Sequence, residues 1–523
     1  MAIKRYVANA DNTITNAFDA SLLNSNRATG SNMGRSDVLE VFSIYGQTSG
    51  SQSDEFAGES QELSRVILNF PVSEITTDRT NGKIPASGSV SWYLRMFNAE
   101  HGESLPRDYS MVVQAVSRSW QEGDGLDMDN YSDKTRGLSG SCWVTASEGT
   151  AWTSPGGDYH ATPVYTVSFG DKGTENLEVD ISDVVEQWVA GTKGSYGVGV
   201  RLSSSFEAYF SSSTGADTGS ILHNPSGAQR SYFTKKFFAR ESEFFFKRPL
   251  LEARWNDTKK DNRGDFYYSS SLAPAEENLN TLYLYNYIRG RLVNIPAVGT
   301  GAILLSLYSG SGDDSEPSGS KLYLPAGGGL ATAGDINVTG AYVSTGIYSA
   351  SFAVTAAATP LSTLYDVWHS GGVEFNTGSI TPLTFDALEA NTTDRYVVNI
   401  KNIKKSYSTF DTGRFRLFVR KKNWSPTMYT VANATAQTLI IPSASYKVVR
   451  IADNQEVIGY GTSSSENHTQ LSYDTQGNYF NLDMSMLQPG YMYGIKLAFY
   501  NDAAGDYIEQ KHTFKFRVEE DNE

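Results

Sequence analysis

The chain has 523 residues and an acidic balance, 43 Lys+Arg against 58 Asp+Glu, for a formal charge of −15. At roughly 150 residues per domain, that length holds three or four domains, each able to bury its own core. The shortage of clustered cations argues against a nucleic-acid binder, and 12 % aromatic content argues against a disordered chain although only 19 % of residues are charged.

In chain order, residues 1–36 are polar and Asn-rich, and are expected to form an arm that orders only against a neighbour. The opening residues 1–16 lack the apolar run of a secretory signal, and no stretch reaches the roughly 18 apolar residues of a membrane span, so membrane insertion is not expected. Cys142 is the single cysteine, which excludes an intramolecular disulfide. Glycine, tyrosine and phenylalanine in a Ser/Thr-rich background predict strands joined by glycine turns. One helix is predicted at 180–189, where Ile181, Val184, Val185 and Trp188 recur at i, i+3, i+4 and i+7, Asp180 caps the first turn and Gly191 follows the end. An apolar strand at 249–255 precedes a polar linker at 256–264. Tyr283, Tyr285 and Tyr287 share one face of a strand, with Leu282, Leu284 and Asn286 on the other. A turn cluster at 309–320 separates it from later strands. Phe415, Leu417 and Val419 alternate with Arg414, Arg416 and Arg420, and Phe514, Phe516 and Val518 repeat the pattern near the end. The expected fold is all-β, three tandem β-sandwich domains at 37–255, 256–405 and 406–523, the first with one short helix packed on it and the others Ig-like.

Six segments in order make the first domain resemble a DNRLRE-type β-sandwich: Ser64–Ile75, Val90–Phe97, Val116–Gly125, Cys142–Trp143 with Trp152–Asp158, the helix at 180–189, and Glu241–Glu243 with Arg248–Trp255. The long Ser/Gly-rich insert between Ala208 and Phe233 departs from that pattern. Such domains occur on cell-surface proteins, polysaccharide-binding modules and virion proteins. The whole chain, with its aromatic strand Lys236–Phe246 and the tail from Phe415 onward, resembles structural proteins of contractile-tailed marine and cyanobacterial bacteriophages.

A catalytic set is not visible. None of the six histidines lies in an H-E-x-x-H or H-x-H spacing, and there is no G-x-S-x-G elbow or Walker loop. Gly327–Gly329 lacks the lysine and helix of a phosphate cradle, and Cys142 has no base near it in sequence. The acidic loop carries Asp124, Asp127 and Asp129 at spacings that suit either a structural Ca²⁺ or a solvated loop, and no other cofactor is expected. Trp120, Trp143, Trp152 and Tyr159 are candidate rings for stacking on a glycan or anchoring a partner, against the plainer reading, for Trp120 and Trp143, that they plug the sandwich. The cluster Arg414, Arg416, Arg420, Lys421 and Lys422 is either a polar strand face or a docking patch for an acidic subunit.

These readings predict a non-enzymatic structural protein of a tailed-phage virion, assembled in the host cytoplasm and released on lysis. Its expected place is the tail or baseplate periphery, and its expected partners are other virion proteins and copies of itself. The alternatives are head–neck decoration, or an adsorption protein that binds host surface polysaccharide.

Overall fold

The computed structural model describes residues 2–18, 27–46, 61–100, 107–126, 140–170, 172–211, 221–270, 272–309, 317, 321–322, 336–354, 361–383, 395–425, 428 and 438–520. They divide into two compact units, Ala2–Trp255 and Asn256–Glu523. Among the described residues no helix is long and apolar enough to cross a membrane.

In the first unit the chain runs through β1 (Ile3–Val7), β2 (Ala10–Thr15), β3 (Val38–Tyr45), β4 (Gln61–Asn69), α1 (Val72–Thr80), β5 (Ser91–Met96) and β6 (Tyr109–Val116). It continues through β7 (Thr145–Ser147), β8 (Thr150–Ala151), β9 (Tyr159–Phe169), β10 (Leu177–Asp180), α2 (Ser182–Val189), β11 (Val198–Leu202), β12 (Tyr232–Phe238) and β13 (Leu250–Arg254). A four-stranded sheet in the order β1-β13-β5-β10 faces a larger one in the order β12-β3-β4-β11-β6-β9, with β2 added on β4. Alternate residues of both sheets, such as Trp92, Leu94, Leu251 and Ala253 against Val66, Leu68, Met111 and Val113, close one apolar core.

The arm reading is overturned. β1 pairs with β13 and β2 with β4, so Ile3–Val7 and Ala10–Thr15 are strands of the sandwich. Their polarity is no obstacle to burial, because the side-chain amides take the place of ladder bonds. Asn16 Oδ1 accepts from Leu63 N at 2.6 Å, Asn12 Oδ1 accepts from Met33 N at 2.8 Å, and Asn12 Nδ2 donates to Ser141 O at 2.8 Å. The helix at 182–189 follows the predicted stripe, with Val184, Val185 and Trp188 buried, and Asp180 Oδ1 accepts from Ser182 N at 2.9 Å. The run 64–75 is not one strand: it ends at Asn69 and turns through Pro71 into α1. Tertiary contacts hold α1, since Arg79 clasps Glu186 on α2 through both guanidinium nitrogens, at 2.7 and 2.6 Å.

In the sheet β1-β13-β5-β10, the face away from the core carries charge. Glu252 on β13 is 1 % exposed and receives Arg5 Nε from β1 at 2.6 Å, Arg95 Nη1 from β5 at 3.0 Å and Arg254 Nη2 at 2.7 Å. Burial alone raises its pKa, but the three guanidinium groups overturn that and hold it well below the usual carboxylate range.

The second unit holds two sandwiches. The first takes β14 (Asn280–Tyr285), the hairpin β15 (Tyr287–Ile288) and β16 (Arg291–Leu292), β17 (Ile303–Ser309), β18 (Val338–Ser344), β19 (Ile347–Phe352), β20 (Leu364–Ser370) and β21 (Val373–Ile380). Its sheet runs β14-β19-β18-β17-β20-β21. β18 pairs with β17 through Val338–Gly340 and with β19 through Ala341–Ser344, so it passes from one layer to the other. The last sandwich takes β22 (Tyr396–Ile400), β23 (Ser406–Ser408), β24 (Thr412–Lys421), β25 (Ala444–Arg450), β26 (Glu456–Ile458), β27 (Ser472–Asp474), β28 (Gly477–Asp483), β29 (Met492–Asn501), β30 (Asp506–Glu509) and β31 (Phe514–Glu519). Sheets β22-β24-β28-β27 and β23-β31-β29-β25-β26 enclose stacked rings, Tyr446 on Phe480 at 4.1 Å and Phe480 on Phe415 at 5.2 Å. β22 pairs with β24, so residues 396–400 belong to the last sandwich and not to the one before it. Nor is 256–264 a free linker: Asp261 is 3 % exposed, and its N–H donates to Tyr473 O at 3.1 Å.

The Glu252 cluster gives a first test. Glu252→Gln removes the anion but leaves three cations around a buried amide, and is expected to cost about 3–5 kcal/mol. Urea unfolding of the full chain, followed by the fluorescence of the first unit's tryptophans, measures it.

Candidate functional site

The sequence-predicted rings do not form a platform. Trp143 is 0 % and Trp152 5 % exposed, both in a small second core between β4, β6 and the β7–β8 hairpin. Trp152 Nε1 donates to Cys142 O at 2.8 Å, and half-buried Trp120 donates to Tyr196 O at 2.8 Å. Trp143 and Trp152 are thus both buried, Trp120 is only half-buried, and Trp152 offers no face to a glycan.

Tyr159 is differently placed. It begins β9 and lines an open cleft of about 580 Å³ together with Gln114, Arg118, Thr153, Asp158 and Arg201. Its hydroxyl donates to Gly156 O at 2.8 Å. The ring is seated by missing side chains, because a Cβ on Gly199 would lie 2.1 Å from Tyr159 Cε1 and one on Gly157 2.6 Å from its hydroxyl. Gly157 also has φ of 104°, which only glycine adopts readily. Under the cleft, Arg65 is paired with Glu207 through Nε and Nη2 at 2.9 and 2.8 Å, and its Nη1 donates to Gly156 O at 3.1 Å.

Arg201 on β11 stands over the Tyr159 ring at 5.0 Å, and its Nη2 donates to Gln114 Oε1 at 2.5 Å. Its Nη1 is buried without a partner. Burial, reinforced by the Arg65 charge, lowers its pKa. On the rim, Arg118 Nε lies 3.3 Å from Asp158, whose carboxylate also accepts from the N–H groups of Thr153 and Ser154 at 2.9 and 3.0 Å. The cleft thus combines two guanidinium groups, one carboxylate and several hydroxyls, a donor-rich lining suited to a hydroxylated anion. Sequence reasoning missed Arg201; its signal was an arginine inside the otherwise apolar strand Val198–Leu202.

The acidic loop is structural where it is described. Glu122 accepts from Asp11 N at 2.8 Å and pairs with Arg240 at 3.1 Å, while Gly123 closes on the Asn32 side chain and Gly125 on its backbone carbonyl. Asp124 is exposed, whereas Asp127 and Asp129 lie outside the described residues. Among the described residues, no three of His, Cys, Asp and Glu are grouped to hold a metal.

The basic cluster on β24 divides. Arg416 binds Asp474 through both nitrogens at 2.6 and 2.8 Å, and Arg414 lies over the Tyr479 ring at 4.0 Å. Arg420, which stands over Trp424 at 6.0 Å, and the exposed Lys421 and Lys422 mark the other end of the strand.

No family model matches the chain, and no curated protein matches it. Among solved structures, trypsin-activated α2-macroglobulin from Escherichia coli aligns at 8 % identity over 87 % of this chain and 24 % of its own, with a TM-score of 0.15. A chimeric titin Z1Z2 aligns at 12 % over 48 % of this chain and 92 % of its own, with a TM-score of 0.15. Salmonella α2-macroglobulin reacted with methylamine aligns at 9 % over 99 % and 34 %, with a TM-score of 0.13. The chain spans about a quarter to a third of the length of these macroglobulins, and alignments this loose bear on neither mechanism nor partners.

Asp11 supplies a pH test. It is 0 % exposed, and burial, opposed by the Arg240 N–H and reinforced by Glu122, raises its pKa to about 7. The folded state therefore binds a proton that the unfolded chain releases near pH 4, so this group's contribution to stability falls as pH rises from about 4 to 7. Asp11→Asn is expected to remove about 2 kcal/mol of the stability lost between pH 5.5 and 8. Unfolding of both proteins at the two pH values checks it, and parallel curves would contradict it.

Proposed function

We propose that this chain is a non-enzymatic structural protein of a tailed-phage virion at the tail or baseplate periphery, acting by spacing and by assembly with neighbouring virion proteins and copies of itself. The observation that supports this reading is the use made of buried carboxylates. Buried Glu252, Glu207 and Asp366, and half-buried Glu186 and Asp474, are each held by arginine. They fasten strands and helices that have no disulfide to fasten them. The outer edges of β9 and β21 have no strand partner among the described residues, and a sheet edge is a template for pairing with another chain. The resemblance of the whole sequence to phage structural proteins points the same way.

Imaging purified particles by cryo-electron microscopy tests this. Symmetric density at the tail or baseplate that accepts these sandwiches is the expected result, and particles that lack the protein overturn it.

A second reading, the adsorption protein, is favoured by the cleft: the unpartnered Arg201 Nη1 and the rim Arg118 suit an acidic host polysaccharide. Titration with uronate-containing oligosaccharides should show binding that weakens about tenfold or more in Arg201→Met and less in Arg118→Ala. Equal affinity in all three proteins would refute a role for the cleft.

A further inference from the structure

Lys235 is the one lysine among the largest fully buried side chains of the described residues, at 1 % exposure. It stands on β12 between the rings of Phe169 and Phe237, with Nζ 5.2 and 5.3 Å from their centres. Its hydrogen-bond partners are neutral: Gly173 O and Glu175 O at 2.8 Å each, and the Asn98 amide oxygen at 2.6 Å. Close by, Glu175 Oε2 is buried and has no hydrogen-bond partner, and its charge acts on both Lys235 and Tyr109. A buried amine against a carboxamide, beside an unpaired carboxylate and walled by aromatic rings, has the parts of an amide-exchange site.

From this geometry we infer that Lys235 and Asn98 are joined by an intramolecular isopeptide bond, with Glu175 as the proton carrier. Two backbone carbonyls and the Asn98 amide oxygen hold Nζ beside the carboxamide, with Cγ one bond beyond the oxygen it touches. Nζ attacks Cγ of Asn98, the Nζ–Cγ bond forms, the Cγ–Nδ2 bond breaks and ammonia leaves. The reacting amine is the neutral one, its first proton released to solvent; after attack Glu175 takes a second proton from Nζ and delivers it to the departing Nδ2, and ends as it began. Burial lowers the Lys235 pKa to about 8, against the pull of Glu175, so about a tenth of the amine is neutral near pH 7. The link would join positions 137 residues apart in a chain without disulfides.

Intact-mass spectrometry of the folded full chain, followed by peptide mapping, tests this directly. The expected result is a mass one ammonia below that of the sequence and a branched peptide joining the Lys235 and Asn98 segments. Glu175→Gln keeps the shape and the backbone carbonyl, and should restore the full mass and the linear peptides in a folded protein. A wild-type chain of full mass overturns the inference. So does an ammonia loss that maps to a linear peptide, which would mark cyclisation of an asparagine.

Discussion

Glu252 governs how the first unit is put together. Its carboxylate accepts from β1, from β5 and from Arg254 on its own strand, so one side chain ties three strands of a four-stranded sheet. Taking an ion pair out of water is costly, and it is tolerated here because every oxygen of the carboxylate is engaged. The cluster also fixes register. Arg5 faces Glu252 across the ladder, and a one-residue slip of β1 would turn Arg5 toward the core and Tyr6 out of it. Glu178 extends the pattern by reaching Arg95 and Arg254 at 3.1 and 2.7 Å, so charge runs across all four strands on the face opposite the core.

The all-β character, the alternation of Phe415, Leu417 and Val419, and the helix around Trp188 were legible because each rests on a local period that burial enforces. The N-terminal strands were not. Asp11, Asn12, Thr13, Thr15 and Asn16 look like solvent-seeking residues, yet all are buried. What makes burial tolerable is a set of partners far along the chain, including Leu63, Ser141 and Arg240, and composition carries no record of those pairings. α1 failed to show for a related reason. Its sequence VSEITTDRT is poor in helix formers, and its stability comes from Val72 and Ile75 in the core and from Arg79 on Glu186.

The candidate site shows the same division. Tryptophans attract attention because exposed rings bind sugars, but a buried indole needs only an acceptor for its N–H, and Trp152 finds one in Cys142 O. The cleft is instead built from an arginine in an apolar strand and from glycines that make room for Tyr159. Neither is a motif. An arginine at position 201 acquires meaning only when β6 supplies Gln114 beside it and β9 brings Tyr159 beneath it.

Buried cations of the first unit differ in what faces them. Arg65 and Arg254 meet carboxylates, and a guanidinium so paired stays charged and serves as a permanent tie. Lys235 meets two peptide carbonyls and a carboxamide, partners that orient the amine without compensating its charge. An ammonium so placed is pushed toward the neutral form, and a neutral amine beside a carboxamide can act as a nucleophile. Arginine in that position would stay inert, and lysine beside a carboxylate would stay charged. Strength in this cysteine-poor sandwich is therefore a matter of which cation is buried and of whether its partner carries a charge.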